Sequence, residues 1–271
     1  MKLKYLAVCL AIAVGTIAIV DTSVAAGIVD SKHNLQANSL AATKFDGTTE
    51  ICVFCHTPHG SASEAPLWNR IIGTASSLTP YTSTTMDGEA VLAGSPSLAC
   101  LSCHDGTQAM NTVINATSSA TDYGYNATGA PMSGTWTGAG IGGIMAGADN
   151  TVPNLGTNLN NDHPVAIPFA GGGLDDTPSV SEFGDSDFRV PDTGIIGGQQ
   201  VWWLEFDPVN GATDDTNDGA RTKVDLMLFT RNSTGFVECG SCHDPHNDRA
   251  QFLRAPSGNV GSQLCLACHA K

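Results

Sequence analysis

The amino-acid sequence predicts a protein of mostly irregular coil, with short helices at four cysteine motifs and one small β-hairpin. Its core is not built mainly from side chains. Three observations lead there. Thirty glycines and thirteen prolines stand among many Asn, Asp, Ser and Thr, leaving few runs of helical period. Aromatic residues make up 6% of 271 positions, a thin supply for a chain of this length. Eight of the nine cysteines form four pairs of one spacing, Cys52/Cys55, Cys100/Cys103, Cys239/Cys242 and Cys265/Cys268. Each pair is followed at once by a histidine: His56, His104, His243 and His269.

The first element is a leader. Lys2 and Lys4 precede an apolar run from Tyr5 to Val20, then "DTSVAAG". A positive start, an apolar stretch and small residues at the exit predict a signal peptide over 1–25, cut after Ala25 or Ala26. A membrane anchor is the alternative, but the run is shorter than the ~20 residues a span needs. Cys9 lies near the start of that run and leaves with it. Removing Lys2, Lys4 and Asp21 from 12 basic and 26 acidic side chains leaves a net charge of −15. Such a surface repels nucleic acid and anionic membrane, and no later segment is apolar enough to span a bilayer. The mature product, residues 26–271, is read as one exported domain.

Eight cysteines in an exported chain admit three readings: disulphides, two zinc sites of four thiolates each, or four covalent haems. The histidine after every pair decides. With 8 histidines in 271 residues, four such placements by chance are on the order of one in a million, and only haem needs them. Two thiols about one helical turn apart reach the two vinyl groups of one porphyrin, and the next residue supplies the proximal imidazole. The predicted fold class is therefore a multihaem cytochrome c with four haem c groups as core, attached through Cys52, Cys55, Cys100, Cys103, Cys239, Cys242, Cys265 and Cys268.

Four further histidines, His33, His59, His163 and His246, equal the number of sixth coordination positions. Every iron would then be bis-histidine. His59 and His246 each follow a motif by three residues, behind Pro58 and Pro245. Axial ligands of one iron have Cα atoms roughly 12 Å apart, while three extended residues span at most about 10–11 Å, so neither can easily serve its own motif's iron. Proline turns the chain out of the helical turn and redirects the next imidazole. This reach argument assigns His59 to the second haem, His246 to the fourth, His163 to the third and a terminal histidine, His33, to the first. His33 could instead reach a neighbouring copy. Met86, Met110, Met132, Met145 and Met227 compete as axial ligands but stand in settings no different from packing or loop.

The motifs start 48, 139 and 26 residues apart. That divides the mature chain into an N-terminal haem pair (26–117), an insert (118–236) and a C-terminal haem pair (237–271). Residues 118–160 read as irregular surface coil. "VWWLEF" (201–206) and "VDLMLF" (224–229) read as a hairpin. Between and beside them, Asp214, Thr216, Asp218, Gly219 and Asp225 approach calcium-loop spacing; Thr for Asp/Asn and the lack of flanking helices favour a solvated acidic turn.

"KHNL", "CVFCHTPHG", "DHPV" and "CGSCHDPHN" resemble exported multihaem c-type cytochromes of metal-respiring microbes, most of all the tetrahaem outer-surface nanowire cytochromes of the OmcE type. The resemblance covers under a fifth of the chain and none of the insert. It implies stacked bis-histidine haems, head-to-tail homopolymers on the cell surface or outside the cell, upstream periplasmic or outer-membrane cytochromes as donors, and extracellular electron acceptors.

Electron transfer is thus the leading function and no enzyme activity is expected, since bis-histidine iron has no open position. A multihaem reductase would need one open haem, and no motif departs from C-x-x-C-H. A soluble periplasmic tetrahaem shuttle is the other alternative. More than sixty mature residues per haem is generous for a shuttle and favours extra surface for assembly.

Overall fold

The computed structural model describes residues 27–62, 66–84, 86, 90–118, 122–147, 153–162, 164–171, 187–206, 221–231, 234–256 and 258–270. The leader, His163, and Asp214, Thr216, Asp218 and Gly219 lie outside the described residues.

The four cysteine motifs sit on short helical turns. Cys52–Phe54 is a single 3₁₀ turn. Helix α1, Ser95–His104, begins with Pro96 in its first turn, where a missing N–H costs nothing. Helix α2, Cys239–Cys242, is capped reciprocally by Glu238 and Ser241, and α3 spans Gln263–Cys268.

Strands occupy more of the chain than its composition suggests. β1 (Lys44–Phe45) pairs with β4 (Trp136–Thr137), and β2 (Thr112–Ser118) with β3 (Asp122–Pro131), both antiparallel. The coil reading of 118–160 is corrected here: its first part is a strand. Thr, Tyr and Asn facing a partner strand suit a pleated surface, which composition alone does not reveal.

The predicted hairpin is the middle of a larger sheet. β7 (Gln199–Leu204) pairs with β8 (Leu226–Arg231), with Trp202 opposite Leu228. β6 (Asp192–Ile196), β9 (Thr234–Val237) and β5 (Ile167–Pro168) complete an antiparallel sheet in the order β5-β9-β8-β7-β6. Gly197 and Gly198, both at positive φ, close the β6–β7 turn as a two-residue hairpin loop requires. The successive Trp202 and Trp203 are both buried, so each face of the central strand is covered.

Among the described residues, side chains build three apolar clusters. One lies on the sheet, where Phe169, Trp202, Leu204, Leu226 and Leu228 pack against Ala267 and the flank of Cys268. A second gathers Phe45, Phe54, Val113 and Met132 around the first cysteine turn, and a third places Leu101 of α1 against Leu78 and Leu159. Met110 and Met132 are both buried, Met132 within the second cluster.

Candidate functional site

Two adjacent residues that carry no motif, Asn69 and Arg70, hold the first two cysteine turns together. Both are fully buried. The Asn69 amide donates to the Val53 carbonyl at 2.7 Å and to Asn115 O at 3.0 Å, and its backbone N–H donates to Cys55 O at 2.8 Å. Arg70 reaches the other way. Its guanidinium donates to Ser102 Oγ and O at 3.2 and 2.7 Å, to Ala109 O at 3.1 Å, and to Met110 O and Thr112 O at 2.7 and 3.1 Å. Five N–H groups meet five neutral oxygens, so the donors are satisfied while the charge is not cancelled by them.

A second tie joins the middle motifs across the 139-residue interval. The buried Glu238 carboxylate accepts from Ser97 Oγ of α1 and pairs with Arg231 of β8. Ser97 Oγ in turn accepts the Cys239 N–H at 3.0 Å, and Arg231 donates to Leu92 O at 2.7 Å. Gly94 permits this approach, because a Cβ there would fall 2.5 Å from the Arg231 guanidinium.

The thiols follow from these ties. All eight are free in the structure. Cys55 interacts electrostatically with Cys103, Cys100 hydrogen-bonds Cys239, and Cys242 interacts with Cys265 and Cys268. Motif one therefore stands beside two, two beside three, and three beside four. Burial pushes the Cys55 and Cys268 thiols up to about 12 and Cys242 up to about 11, while the hydrogen bond from Cys100 brings Cys239 down to about 7. Neutral sulfur is thus favoured at most of these positions, and a thioether is neutral permanently.

The histidines are held by the ring nitrogen that a metal would not need. His104 Nδ1 donates to Pro153 O at 2.7 Å, His243 Nδ1 to Gln251 O at 2.6 Å, and His33 Nδ1 to Pro245 O at 3.2 Å. A carbonyl only accepts, so the proton is on Nδ1 and Nε2 is left as the basic, ligand-competent atom. Trp68 stands edge-on to the His56 ring at 5.5 Å. Burial lowers His33 to about 4 and also lowers His104, so both imidazoles are neutral, the form that coordinates iron. Phe252 stacks on His33 at 4.1 Å and Phe188 packs on His269 at 4.4 Å. Gln251 and Phe252 both take positive φ, an unusual backbone for such residues, and it turns one carbonyl to His243 and the next side chain to His33.

Ring placement departs from the sequence-based assignment. His246 faces His56 with centroids 6.0 Å apart, and His33 faces His104 at 6.2 Å. The reach argument paired His246 with the fourth motif and His33 with the first. That argument follows the chain, whereas the fold lays 244–253 against the N-terminal segment through the Gly27–Asn247 bridge and the His33–Pro245 bond. His59 is exposed, its carbonyl held by Thr57 Oγ1 at 2.9 Å and Asn115 Nδ2 at 2.7 Å; its ring is not brought to the second motif's His104, which faces His33. Ala166, three residues after His163, hydrogen-bonds Val237 on the approach to Cys239.

Spacing alone does not flag Asn69, Arg70, Glu238, Phe252 or Pro153. A charged residue inside "LWNRII" was the one available hint. Asp225, the described member of the acidic loop, is buried and accepts the N–H groups of Phe206 and Thr222, which makes it a loop closer. Among the described residues no three of His, Cys, Asp and Glu are grouped to hold a metal ion, as a four-thiolate zinc site would demand. No helix among them is long and apolar enough to cross a membrane.

A comparison with curated proteins finds no match. Residues 233–271 match the doubled CXXCH motif family. This segment carries the paired attachment motif of c-type multihaem cytochromes, which indicates covalently bound haem c and is compatible with electron transfer.

Proposed function

We propose that the chain is an exported electron-transfer protein with four covalent haem c groups, each iron bound by two histidines, and that it works as a subunit of an extracellular cytochrome filament carrying respiratory electrons to external acceptors. The carrying observation is the unbroken neighbour order of the four cysteine turns, tied by the adjacent Asn69 and Arg70 between the first and second and by Glu238 between the second and third. Haem iron supplies one-electron chemistry, cycling between ferric and ferrous states. The residues fit the group: paired thiols on helical turns, and proximal imidazoles whose Nδ1 is engaged at His104 and His243. What the chain itself contributes is spacing, orientation and exclusion of water.

The filament part rests on the resemblance and on supply. His33 and His246 have imidazoles facing them within this chain. His163, outside the described residues, keeps its sequence-based assignment to the third haem. His59, exposed on a braced turn, is then the ligand available to the fourth haem of a neighbouring copy, held by Cys265 and Cys268. This moves the inter-subunit role from His33 to His59. Contacts of that kind do not close and build a filament.

Intact mass of the secreted protein should exceed the mature polypeptide by four haem masses. Its ferrous spectrum should be insensitive to carbon monoxide, and electron microscopy should show filaments. Strong carbon monoxide binding would overturn the bis-histidine reading in favour of a reductase, and discrete particles would favour the periplasmic shuttle.

A further inference from the structure

We infer that the two haems of the N-terminal half are each completed by a long-range histidine: His246 is the sixth ligand of the iron held by Cys52, Cys55 and His56, and His33 that of the iron held by Cys100, Cys103 and His104. This rests on the four-haem reading and names the ligand pairs within it.

Distance is the first argument. Two imidazoles bound to one metal ion through nitrogens about 2 Å away have centroids roughly 6 Å apart. The two observed separations are 6.0 and 6.2 Å. Packed aromatic rings have centroids about 4.5–7 Å apart, so what distance contributes is that both pairs fall at the one value a bridging metal ion sets. The His246 side chain is 62% exposed and so is not pressed against His56 by burial.

Orientation is the second argument, and it is independent. His33 and His104 each spend Nδ1 on a backbone carbonyl, leaving Nε2. His246 turns Nδ1 toward the Asp244 carboxylate at 3.6 Å, the carboxylate–histidine arrangement common behind metal ligands. The tripeptide Asp244-Pro245-His246 therefore serves two irons: His246 for the first, and the Pro245 carbonyl as the group that orients His33 for the second.

The ring planes then make the two centres distinguishable. They are 23° apart for His56/His246 and 66° apart for His33/His104. Near-parallel axial imidazoles give a ferric iron a rhombic low-spin paramagnetic resonance signal, and near-perpendicular ones a strongly anisotropic signal. Both types should be present in the holoprotein.

The test is substitution in the full haem-loaded chain. His246→Met should create one methionine–iron charge-transfer band and diminish the rhombic signal. Combined with Cys52→Ala and Cys55→Ala, the same change should create no band, because its haem is gone. His33→Met should behave likewise toward Cys100→Ala and Cys103→Ala, at the expense of the anisotropic signal. A band that survives loss of the first haem but vanishes with Cys265→Ala and Cys268→Ala overturns the pairing. If a chain lacking one motif fails to load its other haems, a structure of the haem-loaded wild-type protein decides which imidazole lies opposite His56 and which opposite His104. Intact mass separates the two claims: four haems with the wrong partners refutes the pairing alone, and fewer than four in the wild type refutes the reading beneath it.

Discussion

The segments 52–59 and 239–246 share the pattern C-x-x-C-H-x-P-H and sit in unlike surroundings. The first is a 3₁₀ turn whose Val53 and Phe54 are buried beside Phe45 and Trp136, backed by Asn69 and, through α1, by a buried guanidinium that meets neutral oxygens. The second is an α-helical turn at the end of a five-stranded sheet, capped by a carboxylate that is ion-paired to Arg231. Their last histidines part company too, His246 facing a proximal imidazole and His59 facing solvent. A motif thus settles its own local turn, and the neighbours settle its electrostatics and which distant imidazole its second histidine faces.

Removing Arg70 should break this contrast most severely. Arg70→Met strips five hydrogen bonds from buried oxygens and should cost roughly 3 kcal/mol or more, a fall in Tm of about 6–12 °C by thermal melt. A buried cation favours the electron-rich ferrous state, so its loss should also lower the potentials of the first two haems by tens of millivolts, on the order expected for one charge at an effective dielectric of about 20. Arg70→Lys keeps charge but not the fork, and should restore potential better than stability. Equal shifts at all four haems in a redox titration would refute the local assignment.

Glu238→Gln sharpens the comparison at the other tie. The amide keeps the shape but abandons Arg231, which should cost about 2 kcal/mol, with a Tm drop of about 4–8 °C. Magnetic coupling between the second and third haems should weaken while the first is unaffected. Ser97→Ala should give a smaller version of the same change, because it removes the bridge to the Cys239 N–H without exposing a charge.

Least disruptive to the fold is His59→Ala. An exposed side chain should change stability by no more than about 0.5 kcal/mol. Isolated subunits should keep the spectra of the first two haems, and filaments should fail to form. Filaments of unchanged length and order would show that His59 is not the joint.

Much of the site was legible because attachment chemistry is local. The four cysteine turns, the histidine that follows each and the hairpin at 201–206 and 224–229 follow from residues a few positions apart. The β6–β7 hairpin was legible as well, in Gly197-Gly198 between Ile196 and Gln199, yet it is easily passed over in so glycine-rich a chain. Strand β3 was hidden for a different reason. Its Gly, Asn, Thr and Ala read as coil until β2 is beside them, since strand stability comes from cross-strand neighbours.

The sequence by itself determined four C-x-x-C-H motifs of the haem-attachment type and a pool of four further histidines, the number that a bis-histidine reading of four haems needs. Those are matters of residue type and short spacing, where the reach of a side chain is the only geometry needed. Which histidine faces which other histidine was decided only by the tertiary structure. His33 meets Pro245 across 212 residues and His246 meets His56 across a similar interval, and no pattern in the chain encodes such a meeting. It results from the Gly27–Asn247 bridge, the His33–Pro245 hydrogen bond and the positive-φ Gln251-Phe252 turn, which hold the N-terminal segment against 244–253.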